Sequence, residues 1–174
     1  MIRIETTHGD MTIELFEKDA PLTVANFLQY VDDGHFDGTI FHRVIAGFMI
    51  QGGGMDSGFG EKKTRAPIKN EADNGQQNLR GNLSMARTNA PHSATSQFFI
   101  NLKDNDFLDY RPGNHGYAVF GRVTAGMEVV DAIAAVRTGT RKGHADAPLE
   151  EVLIKKASRI DPKPAPKPSP KPSK

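Results

Sequence analysis

Cysteine and tryptophan are both absent from this chain of 174 residues. Without cysteine there is no disulfide, no thiol nucleophile and no thiolate metal site. No apolar run approaches the ~20 residues needed to span a bilayer. Residues 1–10, MIRIETTHGD, read as a strand and lack the apolar stretch of a leader peptide. These absences predict a cytoplasmic protein with no membrane role. A strong excess of one charge is missing as well: 22 basic residues face 21 acidic ones. Four of those lysines and one aspartate fall at 161–174, so residues 1–160 carry a net charge of −2. That balance excludes, by composition, a basic nucleic-acid binder. The glycines of Gly52–Gly60 make neither GxGxxG nor a phosphate loop, and no GxSxG or HExxH occurs. The six histidines stand apart, no two within four residues, so no metal site is expected. With no nucleophile motif and no metal, the chemistry should need neither, and no cofactor is expected.

What the chain does have is a cation among large apolar side chains, in Phe41-His42-Arg43-Val44-Ile45-Ala46-Gly47-Phe48-Met49-Ile50-Gln51-Gly52-Gly53. A strand alternates its faces with period two, which puts Phe41, Arg43 and Ile45 on one face and His42 and Val44 on the other. Beyond the Ala46-Gly47 break, Met49 and Gln51 share a face in the same way. Arginine keeps its charge and is seldom left among apolar neighbours without a partner. It has either a structural acid or a ligand that brings a carbonyl or a lone pair. A second segment, Ser96–Leu102, alternates so that Phe98, Ile100 and Leu102 form an apolar face suited to a core. Gln97, Phe99 and Asn101 form the opposite face, one aromatic between two amides, which suits an apolar ligand with a polar edge.

Organisation follows from punctuation. Residues 2–7 and 11–16 alternate around His8-Gly9-Asp10, a hairpin. Asp19-Ala20-Pro21 opens a helix that carries Val24, Phe27, Leu28 and Val31 on one side and ends at Gly34. Strands are predicted over 39–45, 48–51, 83–87, 97–102, 117–123 and 151–159, and a second helix over 128–136 with Val129, Ile133 and Val136 on its buried face. Such a set suits a mainly β fold, a closed eight-stranded antiparallel barrel capped by two helices. Six prolines and four lysines make 162–174 an extended or disordered tail, a spacer or a docking segment. The domain proper is therefore 1–160 and the tail 161–174. No apolar surface stripe calls for a dimer, so a monomer is expected.

The strings FHRVIAGFMIQGG, LSMARTNAPHSATSQFFI, NDFLD and YAVFGRV, in that order, resemble the cyclophilin family of peptidyl-prolyl cis-trans isomerases, most of all its short bacterial cytoplasmic members. The resemblance runs from residue 1 to about residue 160 and implies the same capped barrel. It also implies an activity that fits the missing nucleophile. Prolyl isomerisation makes and breaks no covalent bond; the X-Pro amide loses its partial double-bond character while it turns, against a barrier of roughly 20 kcal/mol. Arg43 is the catalytic candidate, a fixed donor for the lone pair that twisting localises on the prolyl nitrogen. Gln51 would hold a substrate carbonyl, and Phe48, Met49, Phe99 and Leu108 would form the socket for the proline ring. By the same resemblance Ala86, Arg87, Thr88 and Gln97 line the groove beside the substrate backbone, with Phe107 and Tyr117 at the pocket edge.

Three departures from the best-known eukaryotic members are visible. Phe107 stands where those carry a tryptophan, which removes an indole donor and implies weak binding of the cyclic peptide cyclosporin. Tyr117 stands where those carry a histidine. The loop from Arg87 to Thr95 is about one residue longer than theirs. The partners implied are proline-containing peptides and unfolded chains. Two other readings stay open on the residues alone: a silent binding module of the same fold, and an unrelated small barrel that stores an apolar ligand in its interior.

Overall fold

A computed structural model describes residues 1–160; the expectations for the tail lie outside the described residues. The chain begins with the predicted hairpin, β1 (Ile2–Thr6) and β2 (Gly9–Leu15), with Ile2 set against Ile13 and Ile4 against Met11. All four side chains are buried, as the alternation requires. Helix α1 (Pro21–Asp32) starts on its proline and is closed by Gly34 at φ +69°, a conformation that glycine adopts without strain. Then follow β3 (Arg43–Ile45), β4 (Met49–Gly52), β5 (Asn82–Met85), β6 (Phe98–Asn101), a short 3₁₀ turn (Asp106–Leu108) and β7 (Val119–Ala125). Helix α2 (Met127–Ala134), the ribbon β8 (Thr138–Arg141) and β9 (His144–Pro148), and β10 (Ile154–Arg159) complete the described chain.

Eight strands form one antiparallel sheet in the order β10-β1-β2-β7-β5-β6-β4-β3. The strand number agrees with expectation, but the barrel is not closed: the sheet is an open half-barrel that curls through 226°. The predicted strand 39–45 explains the gap, because its backbone changes partners within a few residues. Ile40 takes Met55 as its acceptor and makes one isolated bridge to Leu153, and Phe41 donates to Val152 at 3.0 Å. Only from Arg43 does the chain pair steadily, with β4. Phe41 therefore does not share the face of Arg43; it is buried in the core with Val44. The β8–β9 ribbon, absent from the predicted elements, occupies the chain just before β10 and pairs only with itself. Its sequence lacks alternating apolar residues, which leaves no period-two signal to find.

Large side chains fill the concave side of the sheet. Phe27 of α1 meets Phe36, Phe98 and Phe120 at ring-centroid distances of 4.9, 5.6 and 5.1 Å. Val130 and Ile133 of α2 enter the same core. An interior packed with phenylalanine leaves no room for a stored ligand, which disposes of the storage-barrel reading. Backbone fit is tight at Gly53: at φ +90°, a Cβ there would lie 2.9 Å from both Phe36 and Phe98. No helix among the described residues is long and apolar enough to cross a membrane.

Candidate active site

Register places the site. Arg43 on β3 stands opposite Gln51 on β4, Gln51 opposite Phe99 on β6, and Phe99 opposite Ser84 on β5. Cross-strand neighbours in register share a face, so a cation, an amide and an aromatic ring lie in one row on the convex side of the sheet. Met49 belongs to the next row, beside Ile45 and Asn101. A satellite cluster of Met49, Phe99 and Leu108 makes the apolar floor, with Phe48, Ala86 and Tyr117 packed around it.

Above this floor opens a hollow of about 130 Å³ lined by Arg43, Phe48, Met49, Gln51, Ala86, Arg87, Phe99, Leu108 and Tyr117. These nine all belong to the site residues named from the sequence. The other three lie around it. Gln97 sits behind Gln51 and accepts its side-chain amide at 2.9 Å. Thr88 turns to Ser93, whose hydroxyl oxygen it meets at 2.9 Å through both its N–H and its hydroxyl. Phe107 is 54 % exposed and stacks on Phe48 with ring centroids 5.7 Å apart.

Arg43 meets Gln51 Oε1 at 3.4 Å and forms no ion pair among the described residues, whose four salt bridges lie elsewhere. Of the two partners open to it, the structural acid is not there. Gln51 thus receives from Arg43 and donates to Gln97, a short relay whose last amide nitrogen has no partner among the described residues. Gln97 is held from behind by the bare backbone of Gly54, where a Cβ would lie 2.6 Å from its side-chain nitrogen. Across the hollow, the Arg87 guanidinium carbon lies over the Tyr117 ring, 4.4 Å from its centre, and the group donates to the Gly116 and Thr88 carbonyls. Tyr117 meets Phe99 edge to face at 5.7 Å.

Beneath the floor runs a buried amide network that the sequence did not disclose. Asn105 donates to the Phe48 carbonyl at 3.0 Å and to Asn101 Oδ1 at 2.9 Å; Asn101 donates to Asn78 Oδ1 at 3.2 Å. Ser84 donates to the same Asn78 oxygen at 2.6 Å, and Asp109 Oδ1 accepts the Asn78 amide at 2.9 Å. Buried hydrogen-bonded networks of this kind fix the segments that they join, here the turn before β4 and the segment after Leu108, while Asn105 Oδ1 is buried without a partner among the described residues. Scattered asparagines carry no period, and only the placement of Asn101 on the same face as Phe99 hinted at them.

His42, just before β3, is 6 % exposed, and its Nδ1 has no partner among the described residues. Burial, then the nearby His144 and Arg43, push its pKa down from 6.5 to about 4. A base held neutral in the fold but protonated in the unfolded chain favours unfolding as acid is added. Its stability contribution is full above pH 6.5 and falls away as pH drops from 6.5 towards 4. The expected loss is about 2–3 kcal/mol at pH 4.5. His35, lowered chiefly by burial, adds to the wild-type loss in the same direction. Asp32, Asp33 and Asp131 are held below 3.8 by their arginine partners and act in stronger acid. Urea unfolding at pH 7.5 and 4.5 checks this: His42→Leu should show a clearly smaller difference between the two pH values than wild type. Equal differences would clear His42 of the effect.

Comparison with known proteins agrees with the geometry. Residues 1–159 match the family model described as cyclophilin type peptidyl-prolyl cis-trans isomerase. The chain is 56 % identical over 159 residues to peptidyl-prolyl cis-trans isomerase cyp18 of Streptomyces antibioticus, covering 90 % of this chain and 96 % of that one. It is 55 % identical over 157 residues to peptidyl-prolyl cis-trans isomerase B of Escherichia coli, covering 88 % and 96 %. Among solved structures it is similar to a Cryptosporidium parvum cyclophilin type isomerase crystallised in the presence of the dipeptide Ala-Pro. The TM-score is 0.76 at 29 % identity, over 92 % of this chain and 99 % of that one. On its sheet order, its convex row of arginine, glutamine and phenylalanine, and these matches, the chain belongs to the family of cyclophilin-type peptidyl-prolyl cis-trans isomerases.

Proposed function

We propose that the hollow over Met49, Phe99 and Leu108 receives the proline ring of an X-Pro peptide and that Arg43 stabilises its amide as it twists. The observation that carries this is a guanidinium with no acid partner among the described residues, on the rim of a hollow of about 130 Å³ with an apolar floor. An apolar cavity of about 150 Å³ accommodates benzene, so a five-membered ring is a matching size. Planar amide resonance spreads the prolyl nitrogen lone pair into the carbonyl; twisting returns it to the nitrogen, where a donor can meet it. A donor useful only to the twisted form lowers the barrier without tightening the ground state. On this reading Gln51, whose Oε1 accepts from Arg43, holds a substrate carbonyl, and Gln97 beside it contacts the substrate backbone. A silent binding module would gain little from an unpaired cation at this point.

The natural substrates on this reading are proline-containing segments of unfolded or flexible chains in the cytoplasm, acted on by a monomer that assists folding. Phe107 offers no hydrogen-bond donor, which favours weak cyclosporin binding. The domain boundary at residue 160 and a spacer role for 161–174 belong to the same proposal. Cis-to-trans relaxation of a short X-Pro peptide, uncatalysed in ~10–100 s, tests the activity directly. A folded protein at micromolar concentration should shorten that time many-fold; no change with folded protein would leave only peptide binding.

A further inference from the structure

Two guanidinium groups, Arg43 and Arg87, line one hollow, and none of its lining residues is acidic. Neither arginine joins the ion pairs found among the described residues, which link Arg65 to Asp33, Arg80 to Asp131, Arg122 to Glu14 and Arg159 to Asp32. This local charge is not a by-product of a basic protein, since residues 1–160 have a net charge of −2.

The two cations are held differently. Arg43 is exposed and engaged at a single 3.4 Å contact with Gln51. Arg87 is half-buried; Nε and Nη2 donate to Gly116 O at 3.2 and 2.9 Å, Nη1 donates to Thr88 O at 2.9 Å, and the guanidinium carbon lies over the Tyr117 ring, 4.4 Å from its centre. Those donors are occupied by neutral carbonyls, so the positive charge is fixed in place and left uncompensated. Such a group acts on a bound peptide through its field. A prolyl amide is neutral and feels that field little, whereas a charged side chain next to the proline feels it strongly.

We infer that Arg87 makes this active site select X-Pro sequences with an acidic side chain adjoining the proline and discriminate against basic ones. The inference rests on the isomerase reading above and adds the substrate class to it. Two unit charges about 7 Å apart at a partly hydrated surface change an association constant about threefold to tenfold. Discrimination between glutamate and lysine counts that factor twice, once as attraction and once as repulsion.

The test uses three peptides that differ only in the residue next to proline, Glu, Gln or Lys, placed before it in one series and after it in another. Exchange NMR gives kcat/KM for wild type and for Arg87→Gln. In at least one series wild type should favour Glu over Lys by about tenfold or more, with Gln between them. The ratio should fall towards one in Arg87→Gln. In the wild type it should shrink as salt rises from about 0.1 M to about 1 M, where screening shortens to ~3 Å. Because the ratio compares peptides on one protein, any general loosening of the wall at Tyr117 cancels. Equal Glu and Lys rates in both series, a preference for Lys, or a Glu preference that survives in Arg87→Gln would each overturn the inference. Equal acceleration of all peptides would do so while leaving the isomerase intact; no acceleration of any peptide would remove both.

Discussion

Arg43→Ala is expected to fold like the wild type and to lose about a hundredfold or more in kcat/KM towards a short X-Pro peptide. Both halves of that expectation come from the same geometry. Arg43 is exposed, stands at the edge of the sheet, and has one long hydrogen bond and no ion pair among the described residues. Its removal strands no buried charge, and a surface substitution of this kind stays within about 0.5 kcal/mol. On the proposed mechanism the transition state loses its cationic donor on the Gln51 side of the hollow, in a site where the floor is already apolar. Preorganised donors of this type are typically worth a few kcal/mol each. Arg43→Lys should recover part of the loss, since it returns the charge but not the rigid fork that Gln51 orients. If the effect is on the twisted amide, kcat falls with little change in KM. A folded Arg43→Ala with wild-type kcat would assign the catalysis to the socket and the amides instead.

Arg43 also shows how far the sequence could be read. Period-two alternation correctly separated Arg43 from Val44, and it placed Met49, Gln51 and Phe99 where the hollow formed. Alternation failed at Phe41, because the chain leaves one set of backbone partners for another between Ile40 and Arg43. A change of partner is a tertiary event with no local signature. The same is true of the open edge: eight strands were countable, yet β3 and β10 end the sheet unpaired with each other because the chain before Arg43 takes its partners from Met55, Val152 and Leu153 in turn. Asn78, Asn101 and Asn105 are the clearest case of hidden information. Each reads as a turn or surface residue by type, and only their meeting beneath the floor makes them a framework.

Phe98→Ala should cost about 3–5 kcal/mol of stability, a large part of the 5–15 kcal/mol typical of a domain. Phe98 is fully buried and lies edge to face with Phe27, Phe36 and Phe41 at 5.6, 5.7 and 6.1 Å, so it joins α1 to the sheet. Truncation leaves a void that those rings cannot collapse into, since Phe36 is also pressed against the backbone at Gly53. Urea unfolding would show a midpoint shifted strongly down with the slope unchanged. Its neighbour supplies the control. Phe99 points to the other face, on the floor of the hollow among Met49 and Leu108, with Tyr117 against its edge. Phe99→Ala should therefore damage turnover more than the global fold, while Phe98→Ala, at temperatures where it stays folded, should keep most of its activity. Adjacent residues with opposite phenotypes are what a pleated strand between a core and a substrate groove demands. Stability losses of equal size at both positions, with turnover equally impaired, would show that the floor and the core are one packing unit.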